Sequence, residues 1–353
     1  MAAVLGSRPA RRLAPVSALI LFTPSSVPLR CRHALPHFAL TISQRVHRIS
    51  DCRECQRHRP HPASQMMGRA VCFLCLFTGV AFAAPDIRSR KPDLTLPPLS
   101  ATQPAAGLRV MQTHPQWAKT SAYHTLYLPE DWRPGKSYPV LIEYAGNGPY
   151  RNSFGDVSTG KPEGSKMGFG ISGGKGFIWV CLPYLNNAGT KNVTQWWGDK
   201  PKYNPQPTLE YCKKVVPWVC KNYGGDIKSV VLCGFSRGAI ACNYLGLYDD
   251  DIARLWRAFI PYSHYDGVRR WPYPVSDQKS AKRRLQRLAG RPQFICHEGT
   301  GVSGTQKFLD STEIKGKFTF QATGFRNHND AWLLRPSSAR AALRVWLKAT
   351  LAN

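Results

Sequence analysis

The stretch Lys228-Ser229-Val230-Val231-Leu232-Cys233-Gly234-Phe235-Ser236-Arg237-Gly238-Ala239 decides the fold. It reads as an apolar strand, a Gly-x-Ser-x-Gly turn, and the start of a helix of small residues running from Gly238 to Leu247. A strand that turns sharply into a helix crowds its own backbone, so the positions flanking the turn must be glycine. The serine between them is held exposed on a strained corner at a helix N-terminus. The next backbone amide and the helix dipole then favour negative charge developing beside that serine. Ser236 is therefore a candidate nucleophile. A second match to the pattern, Gly170-Ile171-Ser172-Gly173-Gly174, precedes a strand rather than following one and is read as compositional.

Outward from the turn, short apolar runs bounded by turn residues recur. Tyr123–Leu128, Tyr138–Tyr144 (YPVLIEY), Phe177–Leu182 (FIWVCL), Trp256–Pro261 (WRAFIP), Gln293–Cys296 (QFIC) and Lys317–Ala322 (KFTFQA) read as strands. Pro207–Tyr223 has helical spacing, with Leu209, Cys212, Val216 and Val219 on one side, and Ser337–Leu351 reads as a closing helix behind Pro336. Several of the strands are apolar throughout, as a sheet covered on both faces requires. Strands alternating with helices predict an α/β fold, a three-layer sandwich around a mostly parallel central sheet. Sites in such sheets lie beyond the carboxyl ends of the strands.

A serine hydroxyl needs a base, and the base needs an orienting group. In this architecture the acid and then the histidine follow the serine along the chain. His328, after the last strand and before the closing helix, stands where the base belongs. The acid is either Glu298, following QFIC, or Asp266, following WRAFIP. Asp330, two residues from His328, reads as a loop anchor. An oxyanion hole needs two donors. One is the Arg237 amide, and the other comes from the loop after YPVLIEY, at Gly146 or Asn147.

From about Tyr123 to the C-terminus the chain resembles the α/β-hydrolase superfamily, in particular its secreted esterase and polyester-depolymerase-like members. The Gly-Phe-Ser-Arg-Gly elbow, the glycine loop Ala145-Gly146-Asn147-Gly148 and the late His328 carry the resemblance. It implies the α/β-hydrolase fold, an acyl-enzyme mechanism on esters, and no cofactor or metal. The chain departs from the family in two places. The penultimate strand lacks the usual Gly-x-x-Asp segment, which leaves the acid open, and Arg237 stands where many members have a small residue. The Arg237 side chain either binds a substrate carboxylate or pairs within the protein. Between Asp266 and Arg291 there is room for little or no cap domain, so the cleft is expected to be open.

The formal charge of +27, from 48 Lys and Arg against 21 Asp and Glu, suggests nucleic acid until it is mapped. Residues 1–83 hold eleven Arg, no Lys and only Asp51 and Glu54. Arg69, the apolar Ala70–Val80 and the small-x-small Ala81-Phe82-Ala83 read as a signal peptide over 66–83, so a start at Met66 or Met67 is expected, with 1–65 an Arg-rich leader that is disordered or not translated; the alternative is a genuine Arg-rich targeting extension. From residue 84 on, 37 basic residues face 19 acidic ones, spread along the chain. Nucleic acid is not an expected partner; contact with an anionic surface is compatible, and Lys279–Arg291, the one dense cluster, reads as a solvated helix face. No apolar run reaches the roughly 18–20 residues of a spanning helix. Residues 84–106, with Pro97-Pro98 and Pro104, read as a Pro-rich linker or a surface-tethered arm, and 107–353 as the catalytic domain. The expected location is outside the cytoplasm, periplasmic or secreted.

Three other patterns are set aside. Cys52-x2-Cys55 and Cys72-x2-Cys75 have zinc-ribbon spacing, but the second pair lies in the apolar signal segment, where a charged metal site cannot sit. Gly168-x-Gly170-x-x-Gly173 precedes its strand instead of following it and reads as a glycine-rich loop. Asp249-Asp250-Asp251 reads as a helix boundary. The six later cysteines read mainly as buried thiols; Cys212 and Cys220 sit about 12 Å apart on a continuous helix at 1.5 Å per residue, too far to bridge. Trp196-Trp197, in the insertion 183–206, form a candidate stacking platform for sugar or aromatic rings, or else cover the core edge. Three functions remain open: an exported carboxylic ester hydrolase acting on carbohydrate-linked or polymeric esters, a peptidase or acyltransferase, and a non-catalytic binding protein lacking a competent acid.

Overall fold

The computed structural model describes residues 84–299 and 301–352; the expected leader and signal lie outside them. Nine strands form one sheet. In chain order they are β1 (Leu99–Ser100), β2 (Arg109–Gln112), β3 (His124–Tyr127), β4 (Tyr138–Tyr144), β5 (Ile178–Leu182), β6 (Gly225–Phe235), β7 (Ala258–Tyr262), β8 (Gln293–His297) and β9 (Phe318–Ala322). Their order across the sheet is β1-β2-β3-β5-β4-β6-β7-β8-β9. Only β3 runs antiparallel to its neighbours. The helices used below are α1 (Met167–Ser172), α2 (Gln206–Tyr223), α3 (Arg237–Tyr244), α4 (Gln278–Leu285), α5 (Ser303–Asp310) and α6 (Ser338–Ala352).

The apolar runs are explained by two covered faces. Along β6, Val230 and Leu232 enter one core, with α2 and α3, while Val231, Cys233 and Phe235 enter the other, with α1 and α6. β4 and β5 split in the same way: Val140, Ile142, Ile178 and Val180 face the first core, and Leu141, Trp179 and Cys181 the second. Side chains alternate across a strand, so a strand buried on both sides must be apolar at every position. Each fully buried aliphatic side chain contributes about 1.5–3 kcal/mol. This is the three-layer, mostly parallel α/β-hydrolase fold expected. Between β7 and β8 stand only a loop, α4 and one 3-10 turn, so no cap domain is inserted there.

Four expectations are corrected or sharpened by the fold. The stretch Gly168–Gly173 is not a loop but helix α1, closed by Gly173 at φ +68°. A Cβ on Gly168 would lie 2.0 Å from Trp179, and one on Gly170 2.4 Å from Leu333, so these glycines make room for packing. The buried Glu143 carboxylate accepts the Met167 and Gly168 amides at 3.3 and 2.9 Å and the Trp179 indole N–H at 2.9 Å. Residues 84–106 are tethered to the domain along part of their length. Ile87 is buried, and its N–H donates to Asn327 Oδ1 at 2.8 Å, while Pro85 O accepts the Arg326 amide at 3.0 Å.

The basic cluster is only partly a solvated face. Arg284 turns inward to Asp266, and Arg287 pairs with Asp250 at 2.9 Å. All six cysteines from Cys181 on are buried and free, and α2 runs unbroken through Pro217, between Cys212 and Cys220. No helix among the described residues is long and apolar enough to cross a membrane.

Candidate active site

Ser236 sits at φ +55°, ψ −113°, between the end of β6 and the start of α3. Its backbone is strained, as the sharp turn demands. A Cβ on Gly234 would lie 2.3 Å from the Gly238 backbone, and one on Gly238 would lie 1.8 Å from Tyr144 O. The two glycines are thus a steric necessity, and they bring α3 directly under the end of β4. The Ser236 amide is tied to Tyr262 O at 2.9 Å.

His328 comes from the loop after β9. Its Nε2 lies 3.0 Å from Ser236 Oγ, and its ring packs against Phe235 and the edge of Tyr150, at 4.7 and 5.5 Å between centroids. Its Nδ1 meets Glu298 Oε1, from the loop after β8. Burial alone would push the Glu298 carboxyl up; the hydrogen bond and charge of His328 and the bond from Ser263 outweigh it and hold it at about 2. Ser236, His328 and Glu298 are therefore brought together. Asp266, the alternative acid, is not among them: it is buried against Arg284, with a two-pronged pair at 2.8 and 3.1 Å. Asp330 anchors its loop, accepting the Lys166 amide at 3.0 Å and Nζ at 3.1 Å.

The Arg237 side chain does not reach for a ligand. It is 1% exposed and donates to four carbonyls: Ala145 at 3.4 Å, Trp196 at 2.8 Å, Gly146 at 2.9 Å and Gly160 at 3.1 Å. Its guanidinium lies 3.6 Å over the Tyr184 ring, and burial pulls its pKa down to about 10. The Ala145 and Gly146 carbonyls belong to the peptide units whose N–H groups are those of Gly146 and Asn147. In a planar trans peptide the two groups point in opposite directions. Holding both carbonyls on Arg237 therefore turns both amides away from it. Neither amide, nor that of Arg237, donates to a protein acceptor among the described residues.

A cleft of about 170 Å³ opens over Ser236, walled by Asn147, Tyr150, Trp196, Phe235, Ile240 and Trp271. The two tryptophans of the expected platform part ways. Trp196 borders the cleft, with Trp271 5.2 Å away between ring centroids. Trp197 is wholly buried, stacked on Tyr244 at 4.5 Å and 19°. Trp197 is core, because α3 supplies an aromatic partner that the local sequence does not reveal. A second hollow of about 230 Å³ lies on the acid side, bordered by Arg269, His297, Glu298 and Thr305. His264 and Trp271, stacked at 5.4 Å and 21°, border both spaces.

Two contributors escaped the sequence reading. Asp156, 1% exposed, accepts the His328 amide, the Asn327 and Asn329 side-chain amides and that of Asn152, at 2.9–3.2 Å. Nothing local in the polar run around it marks it. Ser263 lies within hydrogen-bond reach of both Glu298 and His328. It directly follows β7, where the strand-end rule pointed, but that rule selected the carboxylate three residues on.

No protein-family model and no curated protein matches the chain. Among solved structures it is similar to a thermostable esterase, with 15% identity, a TM-score of 0.42, and 69% of this chain and 62% of that one covered. It is also similar to an S-formylglutathione hydrolase from Agrobacterium tumefaciens (10%, TM-score 0.47, 71% and 98%) and to a dipeptidyl peptidase 4 from Porphyromonas gingivalis (14%, TM-score 0.39, 66% and 33%). The chain thus spans less than two thirds of the esterase and a third of the peptidase. At that identity the likeness assigns no chemistry, which rests on this chain's own side chains.

Proposed function

We propose that the chain is an exported serine hydrolase that cleaves carboxylic esters through an acyl-enzyme. The observation that carries this reading is the line from Ser236 Oγ to His328 Nε2, at 3.0 Å, and on to Glu298. Ser236 Oγ attacks the ester carbonyl while His328 Nε2 takes its proton, and Glu298 steadies the resulting imidazolium. The negative oxygen of the tetrahedral intermediate falls to the amide of Arg237 and that of Gly146 or Asn147. Collapse breaks the ester C–O bond, and the departing alcohol takes the proton back from His328. Water then attacks the acyl-enzyme by the same route and restores Ser236. The scheme needs no metal or cofactor.

The cleft walls favour an uncharged, partly aromatic or carbohydrate-linked ester, because Arg237, the one Lys or Arg bordering it among the described residues, is already committed to carbonyls. Polymeric esters fit an uncapped cleft. The contact between His328 and Glu298 supports a working relay over a non-catalytic binding protein. Export rests on the sequence of residues 66–83, and N-terminal sequencing of the natural protein tests it: a peptide from residues 1–65 would sink it. Turnover of p-nitrophenyl acetate, lost in Ser236→Ala, is the expected result; unchanged turnover in that variant rules Ser236 out. Labelling by a fluorophosphonate without ester turnover, but with amide cleavage or acyl transfer, would point to a peptidase or acyltransferase.

A further inference from the structure

We propose that Ser263 is a fourth member of the relay, a positioning residue whose hydroxyl holds Glu298 against His328. The inference rests on the serine-hydrolase reading above and concerns a group outside the three residues of that scheme. Ser263 is 3% exposed. Its Oγ lies 2.6 Å from Glu298 Oε1, 2.9 Å from His328 Nδ1 and 3.2 Å from His264 Nδ1.

Counting protons settles who donates. A hydroxyl has one proton and two acceptor lone pairs, and a carboxylate only accepts. His328 carries its proton on Nδ1, because Nε2 must be free to take the proton of Ser236. The Ser263 proton therefore goes to Glu298, over the shortest of the three distances. His264 then donates from Nδ1 to Ser263 Oγ. Burial pushes the His264 imidazole below its ordinary pKa, in keeping with a neutral ring carrying one N–H. Ser263 and His328 thus meet at the same oxygen, Glu298 Oε1. Hydrogen bonds to an ionised acceptor are about twice as strong as neutral ones, so two of them fix the carboxylate and, through it, the imidazole.

The backbone supports the same conclusion. Ser263 sits at φ +87°, where an L side chain is strained. Such strain costs about 1–3 kcal/mol and gathers at functional positions, whereas glycine adopts this φ freely. What serine adds at a position suited to glycine is its hydroxyl. The Ser263 amide also donates to Cys296 O at 2.9 Å, which ties the end of β7 to the strand that leads into Glu298.

Ser263→Gly removes the hydroxyl and relieves the strain; Ser263→Ala removes the hydroxyl alone. Turnover of p-nitrophenyl acetate is read per active site titrated with a fluorophosphonate. Both variants should lose about 10–100-fold in kcat with KM held within about twofold, as outer-sphere partners do elsewhere. A less firmly held carboxylate becomes more basic toward its partner, so the acid limb of the kcat/KM profile should move to higher pH. Ser263→Gly should keep its Tm at or above that of the parent. A kcat within about threefold of the parent overturns the proposal, as does an unmoved acid limb or a Tm that falls in step with activity in Ser263→Gly. Ser236→Ala separates the two readings. If it is inactive while Ser263→Gly is unimpaired, only this inference fails; if it stays active, the hydrolase reading fails and takes this inference with it.

Discussion

Asp156 Oδ2 accepts the backbone N–H of His328 at 3.0 Å, across 172 residues of chain. The bond fixes the main chain of the base rather than its ring, and the Asn327 and Asn329 side chains close on the other oxygen of the same carboxylate at 2.9 and 3.2 Å. Asp156→Ala strands these donors in a buried site, at about 1–3 kcal/mol each before relaxation. The expected result is a kcat reduced by about 10–100-fold with a smaller change in KM, together with a Tm lowered by about 2–4 °C per kcal/mol lost. Steady-state kinetics and thermal melts check it, and parental kcat in the variant would show that the loop holds His328 without Asp156.

The oxyanion loop depends on Arg237 in a comparable way. Lysine keeps the charge but cannot reproduce a planar fork spread over four carbonyls. Arg237→Lys is expected to release the Ala145 and Gly146 peptide units and to lower kcat by about 100-fold, the scale of one lost oxyanion donor. KM should change far less. Stopped-flow acylation rates distinguish this outcome from a binding defect; a raised KM at constant kcat would instead place Arg237 in ground-state contact with substrate.

What was legible in the sequence is what the backbone enforces locally. The elbow could be read because a strand that turns at once into a helix crowds its own backbone, as Gly234 against the Gly238 backbone shows, although the crowding at Gly238 comes from the distant Tyr144. The central strands could be read because burial on both faces leaves no polar alternation. His328 followed from strand ends and chain order, which left the acid open between Glu298 and Asp266. The rest depends on partners far away in sequence. Asp156 acquires its role from residues past 320, and Ser263 from Glu298, 35 residues on. Gly168 and Gly170 were misread because their purpose, admitting Trp179 and Leu333, is tertiary. Whether 84–106 is a linker or a tethered arm stayed open in the sequence because Ile87, Leu94 and Leu96 are isolated among polar and Pro residues, although each packs against the second core.

The parting of the two tryptophans gives a test by contrast. Trp197→Ala empties a buried site stacked on Tyr244 and should cost about 3–5 kcal/mol in chemical denaturation, leaving KM of the folded fraction unchanged. Trp196→Phe keeps an apolar ring but reshapes the cleft wall beside Trp271. It should shift KM for bulky aryl esters several-fold while altering stability by less than about 1.5 kcal/mol. Equal KM effects from both substitutions would restore the paired platform.

Acid stability separates His124 and Glu298 by their pH windows. His124 in β3 is fully buried, with Nδ1 2.9 Å from the Tyr211 hydroxyl and its ring against Trp218. Burial, with a smaller push from His114, lowers its pKa from 6.5 to about 3. Between those values the unfolded chain binds a proton that the folded one refuses, so stability is fully present above pH 6.5 and falls with decreasing pH by about 1.4 kcal/mol per unit from this group. Glu298, depressed from 4.5 to about 2, adds its own loss only below pH 4.5. His114, packed against the same Trp218 ring and also lowered by burial, adds to the upper window. Urea unfolding of His124→Asn, which keeps a polar partner for Tyr211 without titrating, should lack this group's share of the pH dependence from 6.5 to 4.5, relative to the parent and on top of the opposite contribution of Glu143, which burial raises to about 7, whatever its absolute stability. Below pH 4.5 its slope should steepen as Glu298 begins to titrate. An unchanged slope between 6.5 and 4.5 would mean that His124 takes up its proton inside the folded protein.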